Sequence, residues 1–236
     1  MVLAAGLGER MRPITATLPK PLIAVAGRTL LDRVLDRLDE AGVAEVVVNA
    51  HYLGEQIERH VKGRQRPRCV VSVEPRRLET GGGVAHALPL LGSEAFYVVN
   101  GDIILLNGPR PALINLAAAW NESAMDALLL VHRTVDALGY DGMGDFFMGQ
   151  GGRLLRRRDP YHAPFLFTGV QMLHPRLFSD APRGPFSLNV LYERAGASGR
   201  LYGLVHDGQW FHVGRPADIA AAANRLAPQP SGVLGT

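Results

Sequence analysis

Three charged side chains and two glycines in the first half of the chain have the types and spacing to handle phosphate. Gly6 and Gly8 follow an apolar run in "MVLAAGLGER". Without Cβ atoms, their backbone N–H groups can approach phosphate oxygens closely. Arg10 offers a planar guanidinium fork suited to two phosphate oxygens, and Lys20 supplies a compact positive charge. Pro19 and Pro21 flank Lys20 and stiffen the segment that carries it. Together these are the parts needed to neutralise a triphosphate whose α-phosphorus is under attack. Two commoner phosphate loops do not fit. A dinucleotide loop needs a third glycine and an acid ending the second strand, where this chain has Met11 and Asn49. A P-loop needs its lysine directly after a glycine, whereas Lys20 lies well past Gly8. In "VVNGD", Asp102 follows an apolar strand, at the strand end where open α/β sheets bind ligands. By itself such an aspartate is as readily a turn residue or helix cap.

Elements of two periodicities must position these groups. "MVLAA", "EVVVNA", "CVVSVE" and "AFYVVNGD" read as buried strands. Between them, "TLLDRVLDRLDEAG", "GEQIERHVKG" and the stretch through "GGVAHALPLL" read as helices. Thr29 and Asp32 form a capping-box pattern with Asp in place of Glu, and Gly42 stands at the C-terminal cap. Alternating strands and helices imply βαβ units and a mainly parallel sheet. The second half is less regular. "ALINLAAAW" reads as helix and "DALLLVH" as strand; hairpin-like pieces follow in "GDFFMG", "GRLLRRR" and "FLFTGVQMLHP". "SLNVLYERAGASG" is helical, "LYGLVHD" and "WFHVG" are strands, and "PADIAAAANRLA" closes the chain before a tail.

At 236 residues, with 47% hydrophobic and 20% charged residues, the chain can bury one full core. The net charge of +3 is mild and the basic residues form no long run, which argues against nucleic acid. The densest cluster, Arg153 to Arg158, reads as a solvated loop or hairpin. The single cysteine, Cys69, lies in an apolar run as an inert core residue and excludes a disulfide framework. The eight histidines show no zinc-binding spacing. No leader pattern opens the sequence and no apolar run approaches the ~20 residues of a membrane span. A cytoplasmic protein without membrane contact is expected.

Taken whole, "LAAGLGERMRPITATLPKPL" resembles the signature of the sugar-phosphate nucleotidylyltransferases. The resemblance continues through "GGG", "NGD", "GDF", "FTG" and "WFHVG" to about residue 225. It implies a Rossmann-like α/β fold of the GT-A-like nucleotidyltransferase type, with a mixed, mainly parallel sheet sandwiched by helices. One domain would span residues 1–225, with a nucleotide half at 1–107, a sugar-phosphate half at 108–225 and a tail at 226–236. The implied reaction joins a sugar 1-phosphate to a nucleoside triphosphate and expels pyrophosphate. Arg10, Lys20 and Asp102 are the implied catalytic residues, and Asp102 the implied ligand of Mg²⁺, with Mn²⁺ as an alternative. Leu3, Ala4, Ala5, Gly6, Leu7, Gly8, Glu79, Thr80, Gly81 and Gly82 would line the nucleotide. Asn100, Gly144, Asp145, Thr168, Gly169 and Asn189 would line the sugar phosphate. Many relatives carry an aspartate as second metal ligand in the last motif, where this chain has His212. Histidine suits Mg²⁺ less well than carboxylate, so a site with fewer protein ligands is expected. Within the family the short length and loop motifs are most similar to the N-acetylmuramate-1-phosphate uridylyltransferases of cell-wall recycling, with UTP the favoured triphosphate. Short mannose-1-phosphate guanylyltransferases are also similar, and a catalytically weak regulatory subunit is an alternative of a different class.

Overall fold

A computed structural model describes residues 1–158 and 160–227. Most of the expected tail therefore lies outside the described residues. The first half contains β1 (Val2–Leu3), a small hairpin of β2 (Ala24–Val25) and β3 (Arg28–Thr29), α1 (Leu30–Glu40), β4 (Glu45–Ala50), α2 (Gly54–Val61), β5 (Arg68–Val73), α3 (Glu79–Ala87), β6 (Phe96–Asn100) and β7 (Ile104–Leu106). The second half contains α4 (Ala112–Ala119), β8 (Ala127–Arg133), β9 (Phe146–Met148), β10 (Leu154–Arg156), β11 (Phe165–Leu173), α5 (Asn189–Ala197), β12 (Leu201–Val205), β13 (Gln209–Phe211) and α6 (Pro216–Leu226).

One sheet runs through both halves. Strands β5, β4, β1 and β6 are parallel neighbours, as βαβ connections require. The long strand β11 then runs antiparallel between β6 and β8, and β12 adds in parallel to β8. The β9–β10 hairpin joins at the end of β11, through Phe146 opposite Phe165. The sequence reading treats "FLFTGVQMLHP" as a hairpin piece; it is instead the nine-residue seam of the sheet. Two short pairings were not foreseen, the β2–β3 hairpin and β7 with β13. The latter joins segments far apart in sequence, which local periodicity cannot reveal.

Side-chain alternation fills a core on each face of the sheet. Val46 and Val48 of β4 join Leu128 and Leu130 of β8 in the cluster against α1, α2 and α4. Val47, Leu129 and Val131 face the opposite cluster with α3 and α5. On α1, buried Leu31, Val34, Leu35 and Leu38 form the apolar stripe. Thr29 caps that helix by accepting from the Asp32 N–H at 3.0 Å, while its hydroxyl donates to the Asp32 carboxylate at 2.8 Å. A third cluster matters most for the site. Met11 and Ile23, on either side of Lys20, pack with Ile104, Phe211, Val213 and Ala222. The phosphate-loop candidate is thus anchored to the last strand and helix. Cys69 is half-buried beside the first cluster, and burial pushes its thiol pKa up, consistent with an inert residue. No helix among the described residues is long and apolar enough to cross a membrane.

Candidate active site

A cavity of about 640 Å³ opens beyond the carboxyl ends of β1 and β6. The segment after β1, Ala4 to Met11, forms one wall, with Lys20, Asp102, Asn49, Glu74, Arg77 and Gly214 around the rest. The backbone turns sharply at Gly8, which has φ of +63°. A Cβ there would lie 2.9 Å from the Thr15 methyl and 3.1 Å from the Lys20 Cβ, so glycine is needed for both conformation and space. At Gly6 a Cβ would meet nothing within 4 Å, which leaves that backbone open to a ligand.

The three charged residues singled out in the sequence come together here. Arg10 and Lys20 reach the cavity from the loop, and Asp102 from the end of β6. Lys20 is buried, and its Nζ donates to the Asp102 carboxylate at 2.6 Å. The Asp102 side chain is 34% exposed, so it faces both the lysine and the cavity. His212 stands nearby with its Nε2 over Gly214, where a Cβ would be 2.3 Å away. Its ring packs edge-on against Tyr140 at 6.5 Å and beside Trp210 at 5.8 Å. Burial, then the positive charges of Lys20 and Arg10, lower its pKa and disfavour the charged imidazole. No group of three or more His, Cys, Asp or Glu side chains placed to hold a metal occurs among the described residues. A lone carboxylate suits a hard cation that takes its other ligands from phosphate and water, as Mg²⁺ does. It does not suit zinc.

Sequence reasoning missed two polar residues of the floor. Glu74 is only 3% exposed, and its carboxylate accepts from the Asn49 side-chain amide at 2.6 Å and the Leu78 N–H at 3.1 Å. Asn49 in turn accepts from the Ala4 N–H at 2.6 Å. An amide can accept on one side and donate on the other, which an aspartate could not do against Glu74. The absence of an acid at position 49 thus has a structural reason. The hint available in the sequence was Glu74 itself, a charged residue closing the apolar run "CVVSVE". Arg77, on the loop before α3, was also missed and lines the cavity.

The other expected site residues divide. Leu3, Ala4, Ala5, Gly6, Leu7, Gly8, Glu79, Thr80 and Asn100 line the cavity. Glu79 has φ of +60°, an uncommon conformation for a residue with a side chain. Gly81 and Gly82 do not line it. Their N–H groups both donate to the Phe186 carbonyl, at 2.8 and 3.1 Å, and so are engaged within the protein. A Cβ on Gly81 would lie 2.3 Å from the Phe186 ring, so helix packing accounts for these glycines. Thr168 departs from expectation too. It is fully buried, its hydroxyl donates to the Leu130 carbonyl at 2.7 Å, and its carbonyl accepts from Trp210 Nε1 at 2.9 Å. It sits with Gly169 in a bulge of β11, where the register against β8 shifts between Phe167 and Val170. Gly169, with φ of +86°, lets Asn100 approach to 2.8 Å of its Cβ position. Gly144 is packed against the Ala163 carbonyl, and Asp145 accepts from the Phe167 N–H at 2.8 Å. Asn189 is exposed at the start of α5. These six residues, apart from Asn100, lie outside the cavity wall.

A loop of short 3₁₀ turns at the carboxyl ends of the parallel strands thus brings a lysine onto a carboxylate at the cavity edge. The chain belongs to the MobA-like NTP transferase family, whose domain matches residues 1–187, and within it to the sugar-phosphate nucleotidylyltransferases. It is 44% identical over 233 residues to the N-acetylmuramate alpha-1-phosphate uridylyltransferase of Caulobacter vibrioides, covering 96% of each chain. Identity to the enzyme of the same description from Neisseria meningitidis is 35% over 218 residues, covering 91% of this chain and 92% of that one. Among solved structures, a UDP-glucose pyrophosphorylase complexed with UDP-glucose superposes with a TM-score of 0.79 at 14% identity, over 95% of this chain and 96% of that chain. That likeness establishes the GT-A-like fold, a mixed sheet flanked by helices.

Proposed function

We propose that this chain transfers a uridylyl group from UTP to N-acetylmuramate 1-phosphate and releases pyrophosphate. The observation that carries the choice of substrates is the 44% identity, held over nearly the full length of both chains, to an enzyme of that description. The cavity supports the chemistry. A sugar-phosphate oxygen attacks the α-phosphorus, the bond to the bridging oxygen of the β-phosphate breaks, and pyrophosphate leaves with its electron pair. Such transfer needs positioning and charge neutralisation rather than a protein nucleophile. Arg10 holds the β- and γ-phosphates through its fork, and the loop from Ala5 to Gly8 offers N–H groups to the phosphate oxygens. Lys20 leaves Asp102 for the α-phosphate and the incoming sugar phosphate. Asp102 would hold Mg²⁺, or Mn²⁺, which when bound supplies positive charge to the phosphate oxygens. A histidine at position 212, in place of a second carboxylate, leaves Asp102 as the one anionic protein ligand.

Pyrophosphate release tests the proposal, with UTP, GTP, dTTP and CTP each offered the 1-phosphates of N-acetylmuramate, N-acetylglucosamine, mannose and glucose. The expected outcome is strongest turnover of UTP with N-acetylmuramate 1-phosphate. Best turnover of GTP with mannose 1-phosphate would move the assignment to a guanylyltransferase. No pyrophosphate with any pair would overturn the enzymatic reading and favour a regulatory subunit.

A further inference from the structure

The loop from Glu9 to Leu22 contains no strand and no α-helix, only three short 3₁₀ turns at Glu9–Met11, Ile14–Ala16 and Lys20–Leu22. No β-ladder fixes its position, yet it carries both Arg10 and Lys20. Its underside is bonded from outside. The Tyr52 hydroxyl reaches two consecutive loop carbonyls, those of Thr15 at 2.9 Å and Ala16 at 3.2 Å. One turn along α2, the Gln56 side-chain amide donates to the Thr17 carbonyl at 2.9 Å. Inside the loop, buried Thr15 passes the constraint on, since its hydroxyl donates to the Gly8 carbonyl at 2.8 Å. The Thr15 methyl and the Lys20 Cβ both crowd the Cβ position of Gly8. Tyr52 therefore bears, through one residue, on the glycine turn and on the root of the lysine.

Tyr52 is not part of the cavity wall. It belongs to the connection between β4 and α2, and this connection also touches the opposite wall. His51 Nδ1 lies 3.1 Å from the Glu74 carbonyl, and Asn49 binds the Glu74 carboxylate. The next residue, Leu53, holds φ of +51°, a costly conformation for a side chain of that size. Five residues thus join the phosphate loop on one side to the loop before α3 on the other.

We infer that Tyr52 is a positioning residue for the triphosphate: without touching substrate, it sets where Arg10 and Lys20 present their charges. This rests on the assignment of a triphosphate to the cavity. The bond at stake joins a neutral hydroxyl to carbonyls, so its loss corresponds to roughly a threefold to tenfold change in affinity. The test compares wild type with Tyr52→Phe for binding of UTP and of UMP by calorimetry, alongside steady-state kinetics and thermal melting. UTP affinity is expected to fall about threefold to tenfold in the variant. UMP keeps the phosphate that Lys20 meets but lacks the outer phosphates that Arg10 holds, so its affinity should fall less than that of UTP. Gln56→Ala should move UTP affinity in the same direction by less. Equal weakening of UTP and UMP, or unchanged UTP affinity in a variant that melts like wild type, would overturn the inference. Failure of wild-type protein to bind any nucleoside triphosphate would instead overturn the assignment beneath it, a result read before any variant is made.

Discussion

The two halves of the sheet treat polar side chains in opposite ways. In the parallel half, charged groups leave the strand ends and converge on open space. Arg10, Lys20 and Asp102 all line the cavity, and Glu74 and Asn49 form its polar floor. In the antiparallel half, polar groups at comparable places turn inward. Thr168 bonds Leu130 and Trp210, and Tyr192 donates to buried Gln171 at 2.6 Å. The difference follows from topology. Parallel strands joined by helices end together at one edge, and their connections are free to splay around a ligand. Antiparallel β11 must pass through that same edge and continue, so its polar atoms there lie between neighbours and need partners within the protein. One half is built to present charge, the other to support it.

The sharpest way to break this comparison is to alter single residues on each side. Asp102→Asn should lower the rate of pyrophosphate formation by about a hundredfold to a thousandfold, with the denaturation midpoint little changed, since Asp102 is part-exposed. An Asp102 variant of near wild-type rate would remove the presenting role from the parallel half. At the seam between halves, Gly81→Ala puts a methyl 2.3 Å from the Phe186 ring. Overpacking of this kind costs about 1–3 kcal/mol, which urea denaturation would read directly. If stability held while UTP affinity fell, the glycine would be facing the nucleotide after all. On the supporting side, Thr168→Val keeps the shape and removes the hydroxyl that bonds Leu130. Stability should drop by about 1 kcal/mol, with turnover per folded molecule within about twofold of wild type. A raised KM for the sugar phosphate at unchanged stability would show Thr168 presenting rather than supporting.

The same division explains what was legible in the sequence. That Arg10, Lys20 and Asp102 meet at one cavity was legible because long charged side chains in a specific signature are seldom placed by packing alone. Most strands and helices were legible from their periodicity, α1 down to its Thr29 cap. Gly81, Gly82 and Thr168 were read as ligand contacts because a motif records which residue is required, not which neighbour requires it. Phe186 requires Gly81, and it arrives from a segment far along the chain. The Asn49–Glu74 pair was hidden for a related reason. Their bond exists only because β4 and β5 lie side by side, with Asn49 opposite Ser72. The strand β7 is too short to show a period, and its partner β13 follows a hundred residues later.

Proton uptake gives the smallest and most graded test of the comparison. His206, just beyond β12, is 5% exposed and lies 6.0 Å from buried His132. A carbonyl can only accept, so the 3.0 Å contact of His206 Nε2 with the Leu106 carbonyl places the proton on Nε2. Its Nδ1 is then a buried acceptor without a partner. Burial lowers the His206 pKa; backbone contacts with Leu106 and Gln209 oppose it, His132 adds to it, and Asp207 opposes it more weakly. The folded state therefore resists a proton that the unfolded chain accepts near the ordinary histidine value of about 6.5. Stability contributed by neutral His206 is full above that value and is lost as pH falls through the lowered folded pKa. One such group changes stability by no more than about 1.4 kcal/mol per pH unit. The His212 pKa is shifted in the same direction. The share of His206 is isolated by its absence. His206→Gln retains a donor for Leu106 but cannot titrate, so its urea midpoint should fall less steeply than wild type between pH 7 and the acid limit of folding. Parallel pH profiles for the two proteins would mean that the supporting half holds no reluctant base, and that the acid sensitivity belongs to the cavity.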